Sequence, residues 1–548
     1  MFPTGAYEED LTGPSKLATQ SFDSAGNPTA YRRSARHRVL GSYYITEYSE
    51  CKNVSKVDIL AVPKQYDRPT RRAALGSLLT SAAPFATRAQ LSDKPLNVVL
   101  LISDQMRGDA LGFLGSPNAR TPNLDRLAAQ GVSFDNYFVN NPVCLPSRKS
   151  IFSGLYPHQH GSLTNRHGTP MATTGSMIEY FKKRGYRLGY IGKNHTYNEA
   201  ALKSSVDTAS IRDREPFRAY NRFVRPEWHS DTYWPAAECF AWRNTDEALR
   251  FIDGARDGNP FFLAVSYFDP HPPYMAPSEY TSRYHSDQMK IPPYIAPSLL
   301  GGRLDDYCRA MKFDKISDTD LTETMRYYFA SIEGMVDHQV GRIMTALSTK
   351  GLIENTVVLF TADHGDFMGH HRAVRKAMFL YDALLHVPMI WHVPGIAGRG
   401  GRTAALAQGI DIFPTLVDLT GGKPDDRLLG RSLKPILAGN DRADASRTIF
   451  TSAGYGEWPR ELVETNRLRS ADPALPLHTL VEDGSEQLQY RQSMIRTWEW
   501  KLLLSESRPP ELYRMNGGWI ERKNVADEKE NAGVRRDLEA RLTRWWQW

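Results

Sequence analysis

Residues 97–103, 261–266 and 356–361 are apolar almost throughout, where a strand wetted on one face would alternate. Runs of this kind predict strands buried on both faces, as in a parallel sheet beneath helices. Residues 187–191 add a further strand. Between them apolar positions recur at helical spacing. Residues 123–130 predict a helix, with Asn123 as its N-cap and Gly131 past its end. Residues 177–184, closed by Gly185, predict another, and 325–348, followed by Gly351, a long one. This alternation predicts an α/β fold: a mainly parallel or mixed central sheet flanked by helices. After about residue 440 the pattern changes. Residues 492–497 and 501–504 read as antiparallel strands, followed by Leu512-Tyr513 and a charged closing helix at 531–545. The expected organisation is a polar leader over 1–90, a catalytic domain over 91–440 and a smaller α+β subdomain over 441–548.

Ligand sites in such sheets form beyond the carboxyl ends of the strands. Polar clusters stand there: Asp104-Gln105, Lys193-Asn194-His195, His271 and Asp363-His364. Two carboxylates, an amide oxygen and an imidazole form a ligand set for a divalent cation. The oxygens suit calcium or magnesium, and the imidazole suits manganese or zinc equally. Any single pair of this kind is more often a turn than a ligand set.

Composition changes the picture little. The chain has 548 residues with a net charge of +6, a weak excess that does not point to nucleic acid. No apolar run is long enough to span a bilayer. Arg71-Arg72 precedes a short apolar stretch over 73–86 that ends in small residues. This resembles a twin-arginine export signal, placing the protein in the periplasm or outside the cell. Its distance from Met1 is wrong for a signal, unless the start codon lies downstream. The alternative is an ordinary short helix in a cytoplasmic protein. Four cysteines without a Cys-x-x-Cys pair argue against a thiolate zinc site.

The run Cys144-Leu145-Pro146-Ser147-Arg148, closed by Ser153-Gly154, carries the most specific signal. It resembles the signature of the sulfatases, in the alkaline phosphatase superfamily, and the resemblance extends from about residue 97 to 419. It implies an alkaline-phosphatase-like fold. It also implies that Cys144 is oxidised to formylglycine by a formylglycine-generating enzyme, the hydrated aldehyde being the nucleophile. Asp104, Gln105, Asp363 and His364, with residue 144, match the family's ligands to one divalent cation, calcium first, with magnesium or manganese as alternatives. Arg148 matches the arginine that steadies the hydrate, and Lys193 and His195 the lysine–histidine pair. His271 matches the histidine near the leaving group, Lys376 the sulfate-binding lysine and Asn165 a substrate-side asparagine. The implied reaction is hydrolysis of a sulfate ester, on a carbohydrate or other small organic sulfate, through a covalent sulfoenzyme. One rival is a phosphonate monoester or phosphodiester hydrolase of the same superfamily, with which Gln105 and His364 are compatible; Lys193 and His195 favour the sulfatase. Another is a non-catalytic binding protein of this fold. His371 reads as a structural neighbour of the site. His370 and His386 depart from the residues frequent at those positions. With Cys144 modified and Cys51 outside the mature chain, Cys239 and Cys308 form either a disulfide or two free buried thiols.

Overall fold

In the computed structural model the apolar runs lie side by side at the centre of an 8-stranded sheet. The structure describes residues 95–546 except 166–168, 213–228, 232–234, 257, 297–298, 301–303, 305–307, 309–312, 397–399, 440–446, 455–490 and 507, together with the strand backbone at 21–22, 28–29, 36–40 and 43–47. The chain divides into two compact units, Met1–Pro84 and Phe85–Trp548. In the first, Ser21–Phe22 pairs antiparallel with Pro28–Thr29, and Arg36–Leu40 with Tyr43–Glu47. The export-signal segment and Cys51 lie outside the described residues.

The large sheet of the second unit contains β1 (Asn97–Ser103), β2 (Val132–Phe138), β3 (Arg187–Gly192), β4 (Thr208–Ile211), β5 (Phe261–Ser266), β6 (Thr356–Ala362), β7 (Met389–His392) and β8 (Gly401–Gln408). Their spatial order is β8-β2-β7-β6-β1-β5-β3-β4. Only β7 runs against its neighbours; the other pairings are parallel. Every residue of β1, β5 and β6 is buried, as their unbroken apolar character requires.

Register places the functional ends at one height. Ser103 stands opposite Ala362, and Ser266 pairs with both Ile102 and Gly192. Asp104, Asp363 and Lys193 therefore leave the sheet side by side. Asp363 N donates to Ser103 O (3.1 Å) and Lys193 N to Ser266 O (3.0 Å), so the ladder continues one residue past the strands.

Helices of the second unit include α1 (Pro122–Gln130), α2 (Cys144–Ser153), α3 (Met177–Lys183), α4 (Phe240–Asp253), α5 (Asp318–Ser331), α6 (His338–Thr349), α7 (Ile412–Leu419) and α8 (Ala532–Trp545). Helix α1 starts one residue before Asn123, at Pro122, whose fixed φ suits a first helical position. Its free N–H groups are met from a distance: Asp337 accepts from Asn123 N (3.0 Å) and Leu124 N (2.8 Å). Asn123 is thus not the N-cap. The long helix expected from residue 325 begins earlier, at Asp318, where the Ser317 side chain accepts from Asp320 N. It continues through a π-helical segment, Ile332–Asp337, into α6.

The C-terminal strands β9 (Ile449–Ala453), β10 (Gln492–Arg496), β11 (Trp500–Ser505) and β12 (Arg508–Arg514) form a 4-stranded antiparallel sheet. Helix α8 packs on it through Leu538 and Leu542, with Ile495, Leu502 and Leu512. Cys239 and Cys308 are both buried and are not joined in a disulfide. Among the described residues no helix is long and apolar enough to cross a membrane.

Candidate active site

Cys144 is the first residue of α2, so its side chain sits among unpaired helix N–H groups, where negative charge is favoured. Val143 offers this helix no side-chain cap. Asn165 supplies one from a later loop: its Oδ1 accepts from Leu145 N at 2.9 Å. Asn165 thus lies beside the start of α2, with its amide oxygen engaged by the helix.

Four ligand atoms, one each from Asp104, Cys144, Asp363 and His364, lie within 4.8 Å of one another, and all four residues are buried. His364 Nδ1 lies 2.9 Å from Gly365 O. A carbonyl only accepts, so Nδ1 carries the proton and Nε2 turns its lone pair to the cluster. Cys144 Sγ is 3.2 Å from that Nε2. Gln105 stands beside Asp104, and its Oε1 is buried without a hydrogen-bond partner. An orphaned buried acceptor is costly in a native fold. An amide oxygen of this kind is chemically suited to a cation, and the donor types present fit one divalent ion of mixed oxygen and nitrogen preference.

Cations ring the sulfur. Lys376 Nζ is 3.1 Å and Lys193 Nζ 3.5 Å from Cys144 Sγ. Lys193 also pairs with Asp104 Oδ2. Gly192 makes the turn from β3 to Lys193: its φ is +94°, and a Cβ there would lie 1.9 Å from Ser266 O. Lys376 Nζ reaches His271 Nε2 at 2.8 Å, while His271 Nδ1 lies 2.6 Å from Pro272 O. His195, half-buried with a φ of +26°, hydrogen-bonds the Cys144 side chain.

Arg148 is fully buried and ties the carboxylates together. Its Nε donates to Asp363 Oδ2 at 2.6 Å, its Nη1 to Ser266 Oγ at 2.7 Å, and its Nη2 is 3.5 Å from Asp104 Oδ2. Its nearest partners are therefore Asp363 and Ser266, with Asp104 next.

The electrostatics follow from this packing. Burial alone would raise the Cys144 thiol, but Lys193, Lys376 and His364 outweigh it and hold the thiol well below its ordinary range. Burial and the Cys144 sulfur push Asp104 up; Lys193, His271 and Lys376 bring it down to about 2. Burial works against the charged form of Lys193, yet Asp104 and Cys144 keep its ammonium above the usual range. Burial likewise opposes protonation of His364, and Asp363 and Cys144 reverse the balance. A site so charged can hold an anionic group at residue 144 and neutralise a second anion beside it.

Asp366 and Tyr274 escaped the sequence reading: Gln105 Nε2 donates to Asp366 Oδ2 at 2.7 Å, and the Tyr274 hydroxyl to the same oxygen at 2.7 Å. The only signal for Asp366 was its place three residues after Asp363. His371 lies on the same loop, edge-on to Phe367 and tilted against Tyr381, outside the ligand cluster. His370 lies 3.5 Å from Asp109, and His386 stacks on Trp519 and bonds Asp135 O at 2.9 Å.

Known proteins share this arrangement of sequence and fold. An arylsulfatase of Clostridium perfringens is 29% identical over 383 residues, spanning 62% of this chain and 78% of the relative. An ulvan-active sulfatase of Formosa agariphila is 30% identical over 412 residues, spanning 71% of this chain and 75% of the relative. The crystal structure of a phosphonate monoester hydrolase of Agrobacterium radiobacter superposes with a TM-score of 0.66, covering 82% of this chain and 95% of its own; at 23% identity that likeness is one of fold. Residues 96–422, the stretch that carries β1, α2 and every side chain of the cluster, match the sulfatase family. That stretch is more than half of the sequence, and by it the chain belongs to the sulfatases and is a sulfuric ester hydrolase.

Proposed function

We propose that this chain hydrolyses sulfate esters with a formylglycine at residue 144 and one divalent cation, on a sulfated carbohydrate or another small organic sulfate. The observation that carries the reading is the surroundings of Cys144 Sγ, with Lys376 at 3.1 Å, His364 at 3.2 Å and Lys193 at 3.5 Å. That sulfur marks the place of the oxygens that conversion would install. Formylglycine supplies a hydrated aldehyde as nucleophile, and the cation supplies charge that makes it reactive at neutral pH.

The chain's own residues do the rest. Asp104, Gln105, Asp363 and His364 hold the cation, expected to be calcium, with magnesium or manganese as alternatives. Arg148 fixes both aspartates in place. Lys193 and Lys376 bind the sulfate oxygens and balance charge that builds in the transition state. His271 is placed to protonate the departing alcohol oxygen, and His195 to act as base at residue 144. Asn165 contacts substrate through its amide nitrogen, its oxygen being held by Leu145 N. The ulvan-active activity of the Formosa relative supports a carbohydrate sulfate. Arg71-Arg72 and the apolar stretch after it support export.

The test compares turnover of an aryl sulfate and an aryl phosphonate monoester by full-length protein, coexpressed with a formylglycine-generating enzyme. Sulfate cleavage should dominate, and Cys144→Ala should abolish it. Dominant phosphonate cleavage would move the chain to the phosphonate branch and remove the roles given to Lys193 and His195. Absence of aldehyde at residue 144 in an active preparation would sink the formylglycine reading.

A further inference from the structure

We propose that Asp366 is a positioning residue that fixes which end of the Gln105 amide faces the cation; this rests on the divalent-cation reading above. A carboxylate presents the same atom to a metal whichever way it turns. A glutamine does not: one end accepts and the other donates, and the two are alike in shape. A donor turned to the cation would repel it. A glutamine ligand therefore needs a neighbour that selects its orientation.

Asp366 has the geometry for this. Its Oδ2 receives Gln105 Nε2 at 2.7 Å and the Tyr274 hydroxyl at 2.7 Å, and its Oδ1 receives Met368 N at 2.8 Å. An ionised carboxylate only accepts. A reversed amide would set Oε1 against Oδ2 with no proton between them. Gln105 and Asp366 are both fully buried, so water offers no substitute partner. Tyr274 keeps its proton for the same bond, since burial and the Asp366 charge both raise its phenol well above the ordinary value. The rest of Gln105 is also fixed. Its φ is +65°, its N donates to Asp363 Oδ1 (3.0 Å), and its carbonyl accepts from the Tyr328 hydroxyl (3.1 Å). Only Oε1 is left without a partner. The outer carboxylate also polarises the amide and strengthens its oxygen as a donor to the cation.

Calorimetric titration of calcium into chelator-stripped full-length protein tests this without relying on turnover. Asp366→Asn offers the amide a group that can donate as well as accept, so the orientation is no longer selected. With the carboxylate's pull on the amide lost as well, calcium affinity should fall by roughly 10–100-fold. Adding Gln105→Asp, whose two oxygens are equivalent, should recover most of that loss. A merely structural role for Asp366 would show no such recovery, and its absence would overturn the proposal. Affinity within twofold of the parent in a folded Asp366→Asn protein would overturn it too. Should Asp366→Asn unfold, Tyr274→Phe carries the test: a drop of a few-fold supports the proposal, and unchanged affinity defeats it. If the parent protein takes up none of calcium, magnesium and manganese and Asp363→Ala behaves like it, the cation reading itself fails, an outcome distinct from the others.

Discussion

Asp269 closes the turn between β5 and His271, with Oδ1 accepting from Ser331 Oγ at 3.2 Å and Oδ2 buried without a partner. Burial pushes its carboxyl up to about 7. In the unfolded chain it titrates near 4. The folded state thus holds the proton more tightly, and its contribution to stability is full below pH about 4 and fades as pH rises through about 7. Asp269→Asn keeps the shape and cannot ionise. Urea unfolding at pH 5 and pH 8 should show the variant gaining on the parent at pH 8, by up to a few kcal/mol, and much less at pH 5. An equal difference at both values would mean that Asp269 ionises freely in the fold. At this scale the sequence identified the side chains better than their partners. Cys144, Lys193, His271, Lys376, Asp104, Asp363 and His364 lie together in the structure. That Asn165 caps α2 and Arg148 bridges two aspartates was not legible, because both partners come from distant parts of the chain.

Elements carry the site because their ends are level. The turn at Gly192 is the tightest point: β3 must reach Lys193 while β5 runs 1.9 Å from where a Cβ would stand. Gly192→Ala adds that clash to a left-handed backbone, which together should cost on the order of 1–3 kcal/mol. A fall in thermal midpoint with weakened sulfate binding is the expected result; an unchanged midpoint would mean that the strands part without penalty. Strands β1, β3, β5 and β6 were legible because burial on both faces removes the need for polar positions. β2, β7 and β8 were not. β2 carries Ser133, Asp135 and Asn136, and buried Asn136 is satisfied by Ala404 O of β8. β7 has only 4 residues, too few to show a period. The cap of α1 by Asp337 escaped for another reason: no local signal announces a partner that arrives from a different helix.

At the scale of the whole second unit, the C-terminal sheet holds the loops that carry the chemistry. Gln492 Nε2 donates to Met378 O (3.0 Å), and the Tyr381 hydroxyl to Glu511 Oε2 (3.1 Å), just beyond Lys376. Asp382 and Glu521 share Lys501, and Arg496 Nη1 pairs with Asp382 at 2.6 Å, all fully or almost fully buried. Lys501→Ala would leave two carboxylates short of a counter-charge and should cost roughly 3–5 kcal/mol in denaturant unfolding. Gln492→Ala is milder; it should lower sulfate turnover while leaving the unfolding midpoint within about 1 kcal/mol. Turnover equal to the parent would show that the Lys376 loop holds its own shape. The same sheet reaches the other side of the site: Asn140 Nδ2 donates to Phe450 O (3.0 Å) and Asn141 Nδ2 to Ser452 O (2.8 Å), immediately ahead of Cys144. Cys144 and the residues around it are buried in the finished fold. If Cys144 is converted as proposed, the converting enzyme has to work before these contacts close. The partners of Asn140 and Asn141 lie 310 and 311 residues further along. At the pace of ribosomal synthesis that separation is a delay of roughly 15–60 s. On the proposed function, the sheet that completes the site thus also acts as a clock: its late synthesis sets the shortest time for which the cysteine stays open to conversion.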